Sequence, residues 1–412
     1  MEFFTFRNGQ LHAENVAVQS LAETYGTPLY IYSRQALGRR YDALADAMAA
    51  VDPLICYSVK ANPNRSVIRE FRKRGAGADV VSGGELFRAL RAGVEPRKIV
   101  FAGVGKTRAE IEYALGEDIL FFTVESEPEA ARIGACAQKT GKTARIAFRV
   151  NPNVDPQTHQ YITTGTKENK FGLDRERVVQ ACRAASQMPG VQVTGLHMHI
   201  GSQILVADPF ADALDKVADL CDAIREGNPG FRYLDIGGGL GIPYEPGETP
   251  LSPAAYAERL VPLLKKTGLS IVMEPGRYLA GPAGILVGQV QYIKNNAFKK
   301  FVIVDAGMND LVRPSLYSAY QEIVPVRQTD GIIFGDLVGP ICESGDFLAK
   351  DRHLPAVQED DYLAVKDAGA YGFSMASNYN SRPRAAEIMV DGDNAFPVRA
   401  RETWGDLVRN ET

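Results

Sequence analysis

From residue 34 to about 280 the chain repeats one arrangement: a short apolar run, a turn, then a stretch with apolar residues at i, i+3 and i+4 separated by polar ones. The first pattern belongs to a strand buried on both faces, the second to an amphipathic helix. A leading helix is expected over 34–50. Strands are expected at 54–58, 78–81, 99–102, 119–124, 145–150, 193–199, 233–236 and 270–273. Helices separate them, among them 84–91, 108–115, 127–137, 175–186, 209–225 and 253–266. Eight strands alternating with eight helices in roughly 220 residues is the count of a (β/α)8 barrel. A doubly wound sheet is the other reading, but it rarely needs eight consecutive, evenly spaced units.

After about residue 280 the helical period fades. GILVGQVQYI, KFVIVDAG, GIIFGDLVG, DYLAVKD and AEIMVDG are short β-branched runs divided by Gly, Asp and Pro, the pattern of an antiparallel β domain. EFFTF and PLYIY, near the start, can add a strand to it. The expected division is a barrel over 30–278 and a β-rich domain from 1–29 and 279–412. The connection 151–173 carries no secondary-structure pattern, and unpatterned loops of that length in compact domains are usually functional or mobile.

Composition narrows the class. The chain has 412 residues, 45% hydrophobic and 23% charged, which suits ordinary globular domains. The net charge is −4 with Lys and Arg scattered, which argues against nucleic acid or an anionic membrane as the main partner. No run approaches ~18 apolar residues, so no transmembrane helix is expected. MEFFTFRNGQ lacks a basic stretch followed by an apolar one, so no secretory leader is expected either. Cys56, Cys136, Cys182, Cys221 and Cys342 are odd in number and form no CxxC pair. Neither a disulfide framework nor a zinc ribbon follows, and a reduced, cytoplasmic protein is expected.

A (β/α)8 barrel builds its active site at the carboxyl ends of its strands. Those ends carry Lys60, Ser82, Glu85, Arg149, His199, Gly237, Gly238, Gly239, Glu274 and Arg277. Alone, Lys60 is an exposed lysine at a strand end. Among these neighbours it suggests a Schiff-base lysine, whose amine must be partly desolvated to become nucleophilic. DIGGGLGIPY is not a dinucleotide fingerprint, because Ile242 stands where G-x-G-x-x-G needs glycine. It leaves a tight turn or a phosphate cradle, since N–H groups of Gly238 and Gly239 can approach oxygens with no Cβ between. His197 and His199 share a strand face, but with no third His or Cys nearby no metal site is expected. His199 is either a core histidine or a ring over a flat cofactor, with Ser202 then reaching a phosphate. Glu274, an acid ending an apolar strand, needs a partner: Arg277 or a protonated heterocycle nitrogen.

YSVKAN, GGE, HMHIGSQ, DIGGGLGIPY, EPGR, DAGMNDLVRPSLY, GPICESGD, DAGAYG and SNYNSRP resemble, in order and spacing, the diaminopimelate decarboxylases. The resemblance covers nearly the whole chain. It implies a fold-type III pyridoxal 5'-phosphate (PLP) enzyme, with an alanine-racemase-type PLP-binding (β/α)8 barrel and a C-terminal antiparallel β domain. By resemblance, Lys60 joins PLP as an imine and His199 stacks on its ring. Ser202, Gly238, Gly239, Gly276 and Arg277 contact PLP, and Glu274 faces the ring nitrogen. Arg277, Arg313, Tyr317 and Glu343 are implied to hold the substrate, and Tyr371 to contact both cofactor and substrate. Cys342 is the implied proton donor, and Cys342 and Glu343 are implied to come from the other subunit of a homodimer.

The chemistry of the residues agrees. Decarboxylation leaves a carbanion, which PLP delocalises only while its ring nitrogen is protonated, and an anionic Glu274 stabilises that state. A thiol is mostly protonated at neutral pH and can return a proton to Cα. The expected reaction is meso-2,6-diaminopimelate to L-lysine and CO2, the last step of lysine biosynthesis. Its rivals are a decarboxylase of ornithine, arginine or carboxynorspermidine, an amino-acid racemase, and a non-catalytic PLP-binding homologue. The last would lack Lys60 or Cys342, and both are present.

Overall fold

The structure is a computed structural model, and residues 3–154 and 170–412 are described. Most of the 151–173 connection therefore lies outside the described residues. The chain forms two compact units: Arg40–Ile242 with Thr249–Tyr278, and Met1–Arg39 with Pro243–Glu248 and Leu279–Thr412.

In the first unit, among the described residues, eight parallel strands close on themselves. They are β1 (Leu54–Ser58), β2 (Gly77–Val80), β3 (Ile99–Phe101), β4 (Phe121–Val124), β5 (Ala144–Asn151), β6 (Val191–His197), β7 (Tyr233–Asp235) and β8 (Ser270–Met273). Neighbours in sequence pair throughout, and β8 returns to β1 through Val272 against Leu54 and Met273 against Ile55. The lumen is filled rather than open. Cys56, Val100, Phe121, Ala147 and Val272 form one buried cluster, and the Phe121 and Tyr233 rings lie 5.7 Å apart. This is a packed barrel core.

The surrounding helices are α1 (Arg34–Met48), α2 (Arg65–Arg72), α3 (Gly83–Arg91), α4 (Arg108–Glu117), α5 (Glu127–Lys139), α6 (Arg175–Ser186), α7 (Asp208–Arg225) and α8 (Pro253–Thr267). Many of their starts are written in the sequence as capping side chains. Asn64, Ser82, Thr107, Ser126 and Ser252 each accept a backbone N–H from the first turn. Helix α2 has no counterpart among the helices named from the sequence, yet it buries Val67, Ile68 and Phe71. Among the described residues no helix is long and apolar enough to cross a membrane.

The second unit is built on a nine-stranded sheet. Its path runs Phe347–Pro355, Ile332–Val338, Lys300–Val304, Gly284–Asn295, Leu29–Ser33, Ala386–Asp391, Asn394–Arg399. The sheet is mixed rather than wholly antiparallel. Leu29–Ser33 runs parallel to Ala386–Asp391, and Lys300–Val304 parallel to Ile332–Val338. PLYIY thus supplies an internal strand, buried along its length. The end of EFFTF, as Phe4–Arg7, enters a separate three-stranded sheet with Gln10–Ala13 and Val16–Ala17.

Candidate active site

The barrel rim gathers most of the residues singled out above. After β1 the chain makes a 3-10 turn, Val59–Ala61, with Val59 and Ala61 buried. Lys60 is left with a side chain 42% exposed, and its Nζ donates to Asp79 Oδ2 at 3.2 Å. Ser58 Oγ donates to the same oxygen at 2.5 Å, and Asp79 stands opposite Ser58 in the β1–β2 ladder. Burial above all, then the charge of Glu274, pushes the Asp79 carboxyl up, against Lys60 and Ser58. Asp79 is absent from the sequence-based candidates. The available signal was an acid inside an otherwise apolar strand.

Glu274 follows β8 and is buried. Its Oε2 lies 3.1 Å from His197 Nε2, at the end of β6. Burial pushes Glu274 up, but the His197 ring, electrostatically and through its hydrogen bond, outweighs it together with Lys60. The carboxyl is held below its ordinary range. Asp235, ending β7, completes a buried group in which one oxygen or nitrogen from each of His197, Asp235 and Glu274 lies within 4.8 Å of the others. The group contains no third His or Cys; its third member is a carboxylate.

His199 lies two residues beyond β6, in a loop. Its Nδ1 accepts the N–H of Gly238 at 3.2 Å, and Arg149 Nη2 donates to its carbonyl at 3.4 Å. Burial, then the charges of Arg149 and Lys60, lowers the imidazole well below its ordinary range, so the ring is neutral. The glycine run after β7 is a close-approach backbone. Gly237 has φ +68° and Gly239 φ +110°, and a Cβ on Gly239 would stand 2.7 Å from the Gly201 carbonyl. A Cβ on Gly238 would collide with the carbonyl of Glu274. Arg277 Nη2 donates to Ser202 Oγ at 3.1 Å, which joins the HIGSQ and EPGR segments. A Cβ on Gly276 would meet those of Ser58 and Ala61 at 2.9 and 3.1 Å.

Glu85 and Arg149, also on this rim, have local roles. Glu85 accepts the Val81 N–H at 2.8 Å, and burial above all pushes its carboxyl up to about 7. Arg149 pairs with buried Glu125 at 3.2 Å, and its guanidinium lies 4.6 Å from the centre of the Phe171 ring.

The remaining candidates belong to the second unit. Arg313 is buried, opens a short helix ending at Tyr317, and stacks on Tyr244 with its guanidinium carbon 4.6 Å from the ring centre. Cys342 and Glu343 are exposed on one loop. The loop is folded around buried Asp346, which accepts the N–H groups of Met308 and Ile341, both at 2.6 Å. Asn380 Oδ1 accepts the Cys342 N–H at 2.8 Å. Tyr371 is half-buried with φ +56°, a conformation costly for a residue with a Cβ.

A closed parallel barrel with a lysine, a neutral histidine, a buried carboxylate and a glycine cradle on its carboxyl rim defines a class of cofactor enzyme. The family model "Pyridoxal-dependent decarboxylase, pyridoxal binding domain" matches residues 34–281. Curated diaminopimelate decarboxylases match over nearly the full length. That of Vibrio cholerae is 48% identical over 99% of this chain and 98% of its own, and that of Aquifex aeolicus 47% over 98% and 96%. The crystal structure of Helicobacter pylori diaminopimelate decarboxylase complexed with L-lysine superimposes with a TM-score of 0.92 at 42% identity, covering 95% of this chain and 98% of that one. The chain belongs to the diaminopimelate decarboxylase family, and its cofactor is PLP.

The residues present fit that cofactor. Glu274 Oε1 is a buried oxygen that meets no donor, which suits a protonated ring nitrogen. Gly237, Gly238 and Gly239 pack too closely against their neighbours for any Cβ, so this turn presents bare backbone, which suits a phosphate.

Proposed function

We propose that this chain decarboxylates meso-2,6-diaminopimelate to L-lysine and CO2 in the cytoplasm, the last step of lysine biosynthesis. The observation that carries the reading is the rim itself. Lys60 on Asp79, Glu274 on His197 and His199 on Gly238 stand together at the carboxyl ends of one barrel. PLP, when bound, supplies the sink for the electron pair that the departing carboxylate leaves behind. Lys60 holds the cofactor covalently, and Asp79 and Ser58 orient its amine. Glu274 keeps a negative charge at the ring nitrogen. A neutral His199, its orientation fixed by Gly238, would help hold the ring without competing for that charge. Ser202, Gly239, Gly276 and Arg277 hold the phosphate end, Gly238 lends its N–H to His199 instead, and Tyr371 contacts both cofactor and substrate.

Arg277, Arg313, Tyr317 and Glu343 bind the substrate, with a planar guanidinium matched to each carboxylate and Glu343 to the distal ammonium. The Cys342 thiol returns a proton to Cα. Cys342 and Glu343 act at the site of the other subunit in a homodimer, a reading supported by their exposure on a loop that the Asp346 carboxylate already shapes. The test is CO2 release from purified protein with PLP and a panel of amino acids. Strong preference for diaminopimelate over lysine, ornithine, arginine and carboxynorspermidine is expected. Comparable turnover of ornithine or arginine overturns the assignment.

A further inference from the structure

Asp235 has no part in the chemistry above, yet it sits at its centre. Its carboxyl is fully buried at the end of β7, with Oδ1 accepting the Gly237 N–H at 2.9 Å. Its other oxygen, Oδ2, is buried and meets no donor. The charged and titratable groups that act on Asp235 and Glu274 include His197 from β6, Asp79 from β2, the Cys56 thiol from β1, and Lys60 and His199, which bear on Glu274. Two carboxylates this close and out of water do not both ionise at neutral pH. The pair holds one proton, and carried on Asp235 Oδ2 it bonds the Glu274 carboxylate while Oε1 keeps a lone pair for the ring nitrogen.

We infer that Asp235 is a positioning residue: a neutral carboxylic acid that donates to Glu274 and, together with His197, keeps Glu274 the anion that faces the cofactor's ring nitrogen. The inference rests on the reading of Glu274 as the ring-nitrogen partner. Desolvation alone would drive a buried glutamate to its neutral form, useless for stabilising a protonated ring. A neighbour that donates a hydrogen bond without adding negative charge reverses that tendency. His197 can do this on Oε2, and Asp235 does it from the strand between. Assigning the proton to Asp235 rather than Glu274 follows from the surroundings, since Glu274 is the one that takes His197. The direction of the shifts agrees: burial, then the Glu274 charge, pushes Asp235 well up, while Glu274 is held down.

This has a sharp consequence for substitution. Asp235→Asn keeps the shape, keeps an acceptor for the Gly237 N–H, keeps an N–H donor for Glu274 and is neutral. Asp235→Ala keeps none of the polar functions. If Asp235 works as an acid, the asparagine variant resembles wild type and the alanine variant does not. If Asp235 works as an anion, both fail.

The experiment uses the full-length protein, apo and PLP-loaded, as wild type, Asp235→Asn, Asp235→Ala and His197→Phe. In H2O and D2O, the wild-type-minus-Asp235→Asn infrared difference spectrum should show a protonated-carboxyl C=O band near neutral pH, over and above the contribution of Glu85, which both proteins share. With PLP labelled at the ring nitrogen, nitrogen NMR should show a protonated ring in wild type and Asp235→Asn, and partial deprotonation in Asp235→Ala and His197→Phe. PLP affinity should be near wild type in Asp235→Asn and ~10–100-fold weaker in Asp235→Ala, the loss of a hydrogen bond to a buried charge. Absence of the carboxyl band, or an asparagine variant as impaired as the alanine one, overturns the inference. An unprotonated ring in wild type instead overturns the role given to Glu274, whatever the infrared result. If Asp235→Ala does not fold, the infrared band and Asp235→Asn decide alone.

Discussion

Gly276→Ala tests whether the rim works as a set of touching parts. Gly276 does not have positive φ, so its backbone accepts alanine, and any effect must come from the added methyl group. That methyl would stand 2.9 Å from Ser58 Cβ and 3.1 Å from Ala61 Cβ. Carbon atoms settle at ~3.5–4.0 Å, so the 58–61 turn must retreat by roughly 0.5–1 Å. Lys60 lies in that turn, and Ser58 ties it to Asp79 through Oγ and to Pro275 through its N–H at 3.1 Å. Overpacking of this kind costs about 1–3 kcal/mol of stability. A shift near 1 Å at the reacting group costs on the order of 10²-fold in turnover. The expected result is therefore a modest drop in Tm with a disproportionate loss of CO2 release and of PLP affinity, measured by titrating the apoprotein. Gly116→Ala is the control: it lies in α4 with nothing within 4 Å of a new Cβ. It should keep full activity and gain up to ~1 kcal/mol from helix propensity. A Gly276→Ala enzyme with turnover and PLP affinity indistinguishable from wild type refutes the reasoning.

Mixing inactive Lys60→Ala with inactive Cys342→Ala under subunit exchange should restore part of the activity, since a mixed dimer holds one intact site. No recovery despite proven exchange means each chain builds its own. Arg313→Ala should lose far more turnover on diaminopimelate than on substrates without a distal carboxylate, because a site built for a polar group can reject its absence by up to ~10⁴–10⁵; an equal loss on both counts against the assignment. Glu85, pushed by burial from the ordinary 4.5 to about 7, binds its proton more tightly folded than unfolded. Stability should therefore fall as pH rises from about 4.5 to about 7 and stay reduced above that. Glu85→Gln should flatten this slope in denaturant titrations, and an unchanged slope excludes Glu85 as its source.

Elements with strong local signals were legible in the sequence. The strands at 54–58 and 270–273 and the helix at 175–186 have the expected bounds, because a short apolar run between turns or an i, i+3, i+4 face needs no distant information. Helix α2 escaped since its three apolar positions are spread among four charged residues. The parallel pairing of Leu29–Ser33 with Ala386–Asp391 joins opposite ends of the chain, which no local period encodes. Within the site, Lys60, His199 and the glycines stood out as polar or small residues just past apolar runs. Asp79 and Asp235 did not, because they lie inside such runs. Only the closed barrel turns alternate positions of those strands toward one shared interior, where their carboxyls meet Lys60 and Glu274.

The cysteines have a practical consequence. Cys56, Cys136, Cys182 and Cys221 are buried, while Cys342 is exposed. Burial pushes the Cys182 and Cys221 thiols up to about 12, far from the thiolate form that reacts. An alkylating reagent therefore meets a single accessible sulfur in the folded chain. That sulfur is an intrinsic probe: its rate of labelling reports, without any engineered tag, how fully the Cys342 loop is covered as chains associate or ligands bind.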